Sequence, residues 1–116
     1  MDEAKEVEVV LETGLYDPRK HGHAYVAILR CKNGKLEREF VKRAATVRGR
    51  KGYHYIAVWR FKARVGEVLE ARINPGSWRN EYRDYFLVTE NGLVSLSRKR
   101  AIRIALGLEK WNPEKA

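Results

Sequence analysis

Along most of this chain apolar and polar positions alternate with a period of two, the spacing of strands that bury one face and wet the other. Glu6 to Leu11 (EVEVVL) opens the series, and GLYDPRKHGH after it reads as a loop through Asp17-Pro18 and two glycines. His23 to Lys32 makes a second strand. The Asn33-Gly34 pair that follows is the strongest short hairpin signal, since both turn residues must accept positive φ, so Lys35 to Lys42 folds back as a third. With those two residues as the turn, Lys32 faces Lys35, Arg30 faces Glu37, Ala27 faces Phe40 and Tyr25 faces Lys42. One face then collects Tyr25, Ala27, Leu29, Cys31, Leu36 and Phe40, with Arg38 and Lys42 among them. The other carries Val26, Ile28 and Val41 with the pair Arg30 and Glu37.

TVRGRKG, Thr46 to Gly52, reads as a loop with three cations and two glycines, and it leads into the strand YHYIAVWRFK, Tyr53 to Lys62. Glu67 to Ile73 is another strand, and Asn74-Pro75-Gly76-Ser77 suits a type II turn. WRNEYRDY, Trp78 to Tyr85, has no decisive period. Asn91-Gly92 joins Tyr85 to Glu90 with Leu93 to Leu96 as a second hairpin. Ser97 caps a helix whose Ala101, Ile104, Ala105 and Leu108 share a face, ended by Gly107 or by Asn112-Pro113. The series predicts an α+β fold, a curved antiparallel β-sheet or small partly open barrel of about five to six strands with a C-terminal helix. All 116 residues fit one domain.

Charge turns the picture toward function. There are 24 Lys and Arg against 15 Asp and Glu, a net charge of +9. Met1 to Glu12 holds five acids and one base, a balance of −4, so the rest carries +13. Such an excess suits a polyanion, a nucleic acid or an anionic membrane. A basic but inert surface is the competing reading. No signal peptide or membrane span is visible, which predicts a cytoplasmic protein. The single cysteine, Cys31, excludes an internal disulfide and a cysteine zinc cage. Absent glutamine, one methionine and abundant charge fit a hyperthermophile.

In YHYIAVWRFK the residues Tyr53, Tyr55, Ala57, Trp59 and Phe61 point one way, and His54, Ile56, Val58, Arg60 and Lys62 the other. Two readings of the aromatic side stand. It forms the core, or it is an open platform on which bases stack, with Arg38, Lys42, Arg60, Lys62 and Arg64 at its rims as phosphate contacts. Arg48, Arg50 and Lys51 form a second basic cluster, in a loop whose spacing matches no P-loop. Arg98, Lys99 and Arg100 form a third, in the first turn of the helix, where the macrodipole disfavours cations; bound phosphate or a nearby acid, Glu90 or Glu81, would compensate, and Arg103 and Lys110 extend the ridge. Trp78-Arg79 and Tyr82-Arg83 repeat an aromatic-cation pair, either a lid over bases or a seal on the core edge. Catalysis has little support: His21 and His23 lack a third ligand, and no nucleophile elbow or metal motif is present.

A short, basic, glutamine-free domain with YHYIAVWRFK, the segment WRNEYRDYF and a basic C-terminal helix resembles the thermoDBP-related single-stranded DNA-binding proteins of hyperthermophilic archaea. The resemblance implies ring contacts from Tyr53, Tyr55, Trp59 and Phe61 in a hydrophobic cleft, and phosphate contacts from surrounding Arg and Lys. The founding type also carries a leucine-zipper tail, for which Glu109 to Ala116 is too short. The expectation is a non-enzymatic binder of single-stranded DNA or RNA with little sequence preference. It would use Arg38, Lys42, Arg48, Arg50, Lys51, Arg60, Trp78, Arg79, Arg98, Arg100 and Arg103 beside the rings, and need no cofactor, metal, membrane or small-molecule substrate. A ribonuclease using His23 or His54, and a basic module for an acidic protein partner, are the alternatives.

Overall fold

The structure, a computed structural model, describes residues 5–13, 23–48, 55–74 and 82–111. Eight strands and one helix run in the order β1 (Glu6–Thr13), β2 (His23–Lys32), β3 (Lys35–Arg43), β4 (Ala45–Arg48), β5 (Tyr55–Arg64), β6 (Val68–Asn74), β7 (Tyr82–Thr89), β8 (Gly92–Leu96) and α1 (Arg98–Ala105). All pairings are antiparallel. The α+β class holds, with the strands opened into two sheets: a three-stranded sheet in the order β1-β5-β4 and a five-stranded sheet in the order β3-β2-β6-β7-β8. Ala45–Arg48, expected within a loop, is instead a short edge strand on β5, and the strand expected from Tyr85 begins at Tyr82. No helix among the described residues is long and apolar enough to cross a membrane.

The β2-β3 hairpin turns as its sequence requires, with φ of 53° at Asn33 and 76° at Gly34. Register follows the expected one from Lys32↔Lys35 through Ala27↔Phe40 and then slips, so that Val26 pairs with Lys42 and Tyr25 with Arg43. A β-bulge at Val41 inserts one extra residue and shifts parity. The consequence corrects the expectation: Lys42 leaves the face shared by Tyr25, Arg38 and Phe40, and Arg43 takes its place. The same bend carries the chain out of one sheet and, past Ala44, into the other as β4. Lys42 becomes a joint between the sheets, its carbonyl accepting from Trp59 Nε1 at 3.2 Å and its Nζ donating to the Arg60 carbonyl at 3.1 Å.

Two apolar clusters make three layers. Between the sheets lie Val9, Leu11, Val26, Ile28, Trp59, Leu69, Ile73 and Val88 with the small Ala24, Ala57, Ala63 and Ala71. On the far face of the five-stranded sheet, Leu29, Val68, Tyr85, Leu87 and Leu96 meet Ala101, Ile104 and Ala105 of α1. β6 lies in the middle and is buried on both sides, every residue except Arg72. Ser97 caps α1, its hydroxyl accepting from the Arg100 backbone N–H at 3.2 Å, and Gly107, at φ 78°, ends it, the first of the two stops expected. Leu108 falls beyond that stop and is exposed instead of sharing the buried face.

Candidate nucleic-acid interface

α1 covers only the part of its sheet carrying Leu29, Val68, Leu87 and Leu96. Pairing places a second group of side chains on the same face beyond it: Tyr25 and Ala27 from β2, Arg38, Phe40 and Arg43 from β3, Glu70 and Arg72 from β6 and Arg83 from β7, with Tyr85, part of the cluster under α1, at the boundary. Phe40 is 58% exposed, the most open aromatic ring among the described residues, and its ring centre lies 6.0 Å from that of Tyr25. Arg72 sits over Tyr25, its guanidinium carbon 5.7 Å from the ring centre, and donates to the Tyr25 hydroxyl at 2.8 Å.

Beneath these groups Glu70 is fully buried. Its Oε1 accepts from Arg38 Nε at 2.8 Å and Arg72 Nε at 3.0 Å, and its Oε2 from Arg38 Nη2 at 3.2 Å and Tyr85 Oη at 2.9 Å. Burial pushes its carboxyl up, but hydrogen bonds from Arg38 and Tyr85 and the charge of Arg38 outweigh it and hold the group below the usual carboxylate value. The hydrogen bond to Glu70 raises Arg38, and Arg72 is raised because its bonds to Tyr25 and Glu70 outweigh desolvation. Burial raises Tyr85, and the bond to Glu70 adds to it. Glu70 therefore stays ionised and both guanidiniums stay charged, leaving the cluster with one net positive charge.

At the far end of this face Arg83 and Arg98 line a cavity of about 590 Å³ with Tyr82, Asp84, Tyr85, Ser95 and Leu96. Five arginines thus stand along this face: Arg38 and Arg72 on the saturated Glu70, Arg43 beside Tyr25, and Arg83 and Arg98 at the cavity that Asp84 also lines.

The aromatic stripe of β5 goes elsewhere. Trp59 is 0% exposed and Phe61, partly buried, packs against the same inter-sheet core, so the stripe is a layer of packing and not an open platform. The platform expected there is corrected at Trp59 and Phe61: from Ala57 to Ala63 that face of β5 is apolar and fits a layer between sheets. Arg60, Lys62 and Arg64 project from the opposite face, where β1 supplies acids: Glu8 pairs with Lys62, Glu6 with Arg64, and Lys62 Nζ stands 3.9 Å from a Glu6 oxygen. Lys42 and Arg60 flank a cavity of about 390 Å³ on this side with Glu12, Ala45, Ile56 and Val58. Glu6 and Glu8 thus stand opposite cations of β5. The structure does not bring Lys42 or Arg60 to the face that holds Arg38.

On α1, Arg100 Nε bonds Glu109 at 2.7 Å and Arg103 Nε lies 3.6 Å from it, so an acid beyond the helix compensates two cations, where Glu90 or Glu81 was expected. Arg98 alone of the helix candidates reaches the open face. Tyr53, His54, Arg50, Lys51, Trp78, Arg79, Glu81, His21, the turn after Asn74 and Asn112-Pro113 lie outside the described residues, as do the side chains of Tyr55, Arg48 and His23. Among the described residues no three His, Cys, Asp or Glu side chains gather as a metal site requires.

Sequence reasoning missed Glu70, Arg72 and Arg43. In VLEARIN the residues Leu69, Ala71 and Ile73 form a clean apolar face, which puts Glu70 and Arg72 together on the other; that was the available signal. Arg43 carried none, because the bulge decides its side. Comparison with known proteins adds nothing to the geometry: no family model matches the chain, and no curated protein or solved structure does.

Proposed function

We propose that the protein binds single-stranded nucleic acid in the cytoplasm, without catalysis and with little sequence preference, on the half of the five-stranded sheet that α1 leaves open. The observation that carries this reading is an exposed Phe40 beside Tyr25 with five arginines on one face. A base stacked on an open ring gains about 1–3 kcal/mol whatever its identity, and arginines that neutralise phosphates release counterions. A duplex keeps its base faces inside its own stack and offers only backbone. The resemblance to archaeal single-strand binders implies the same activity, here with the platform moved from β5 to β2 and β3.

The test is a titration of single-stranded DNA, single-stranded RNA and duplex over a range of salt, with and without chelator. Single strands should bind more tightly than duplex, with affinity falling steeply with salt and unchanged by chelator. Equal affinity for duplex, or binding insensitive to salt, overturns the reading. A 2′-hydroxyl effect, read from the DNA and RNA arms, fixes the preferred strand.

A further inference from the structure

We propose that Arg38 and Arg72 are stacking plates for unpaired bases, continuing the surface of Phe40 and Tyr25, and that Glu70 is the residue that positions them. This inference rests on the single-strand reading above. An ionised carboxylate accepts at about four lone-pair sites, and all four of Glu70 are filled from within the protein. It has nothing left for a base edge or a cation. What it does is grip two guanidiniums: Arg38 through two nitrogens, and Arg72 through Nε while its Nη1 is tied to the Tyr25 hydroxyl.

A guanidinium fixed at two points cannot swing out to follow a phosphate without breaking those bonds; unpaired bases stack on such planes as they do on rings, on the side of Arg72 turned away from Tyr25 and on whatever part of Arg38 solvent reaches. About a third of the Arg38 side chain and a fifth of the Arg72 side chain stay exposed, 34% and 21%. Their charge is also half cancelled by Glu70, which weakens them as phosphate ligands. Arg43 and Arg98 differ: no carboxylate among the described residues pairs with either, so they keep full charge and reach. Four of the five arginines thus divide into two plates, Arg38 and Arg72, and two clamps, Arg43 and Arg98.

The division gives an expectation opposite in sign to simple electrostatics. Removing a buried negative charge from a polyanion site should raise affinity by charge alone; removing the group that sets the plates should lower it. The experiment compares full-length wild type with Glu70→Gln and Arg38→Lys, titrating oligothymidine at two salt concentrations and an oligonucleotide containing 2-aminopurine, whose fluorescence reports stacking, after thermal melts confirm folding. We expect Glu70→Gln to bind about tenfold more weakly, within the range of a lost stacked base. Arg38→Lys, which keeps the charge and loses the plane, should lose several-fold in affinity with its salt slope unchanged and the 2-aminopurine signal reduced.

Equal or tighter binding by folded Glu70→Gln, or undiminished affinity and stacking signal in Arg38→Lys, overturns this inference alone. Should Glu70→Gln fail to fold, Arg38→Lys decides. Absence of single-strand binding by the wild type overturns the functional reading and this inference with it.

Discussion

β5 sets its rings among cations and β3 sets one ring, Phe40, among cations, yet Trp59 and Phe61 of β5 pack into the core and Phe40 stands open. The difference is parity. In YIAVWRFKAR the apolar residues Ala57, Trp59, Phe61 and Ala63 share one face and Arg60, Lys62 and Arg64 share the other, so the strand can bury its rings without dragging a charge inside. In KLEREFVKR, Leu36, Arg38 and Phe40 share one face, and burying Phe40 would bury Arg38 with it. Desolvating a cation costs far more than one phenyl ring returns, and even with Glu70 neutralising it Arg38 keeps 34% of its side chain in solvent and Phe40 beside it stays open. A stripe of rings therefore marks a core when the charges fall between them on the other side, and a surface when the charges keep step with them.

The contrast breaks most readily at Trp59. Trp59→Ala should cost about 3–5 kcal/mol of stability, seen in denaturant unfolding, because it empties the layer between the sheets. A fully stable Trp59→Ala protein that loses single-strand binding would return that ring to the surface. Next comes acid. Because Glu70 has its carboxyl lowered in the folded state, its contribution to stability is complete above the ordinary carboxylate pKa and is lost as pH falls through the lowered value. Thermal melts from neutral pH downward should show that loss, and Glu70→Gln should flatten it; an unchanged acid limb in the variant would remove Glu70 from the account.

Phe40→Ala should weaken single-strand binding by about 1–3 kcal/mol. It should move stability by only about 0.5 kcal/mol, as surface substitutions usually do. Loss of stability without loss of binding would make Phe40 a packing residue and reverse the comparison. Lys62→Ala should do least, leaving binding and its salt slope near wild type, since Lys62 stands with Glu6 on the far side of the molecule. A drop comparable to that of Phe40→Ala would shift the interface to the three-stranded sheet.

Much of the fold was written in short-range pattern. Asn33-Gly34, Ser97 and Gly107 fix a turn and two helix ends through backbone preferences that need no distant partner, and the structure follows each of them, whereas the second hairpin forms one residue earlier than expected, turning at Glu90-Asn91 with Gly92 paired to Thr89. The interface was legible only in part. The face holding Tyr25, Arg38 and Phe40 could be read from the hairpin alone, but its use was obscured because β5 offered more rings. Whether a ring lies in or out depends on what covers it, and the pairing of acidic β1 with β5 is a long-range event that periodicity does not carry. Arg43 and Lys42 exchange sides through a bulge, which no residue type in VKR announces.

That bulge ties two properties together. Drawing Val41 into the ladder opposite Val26 would restore plain alternation and act like a frameshift of faces: Lys42 would turn outward beside Tyr25, Arg43 would turn toward the interior, and every residue beyond would be displaced by one position on its way to β4. Which cation stands beside Tyr25 and how the second sheet is fastened through Lys42 thus both depend on one residue being left out of the ladder.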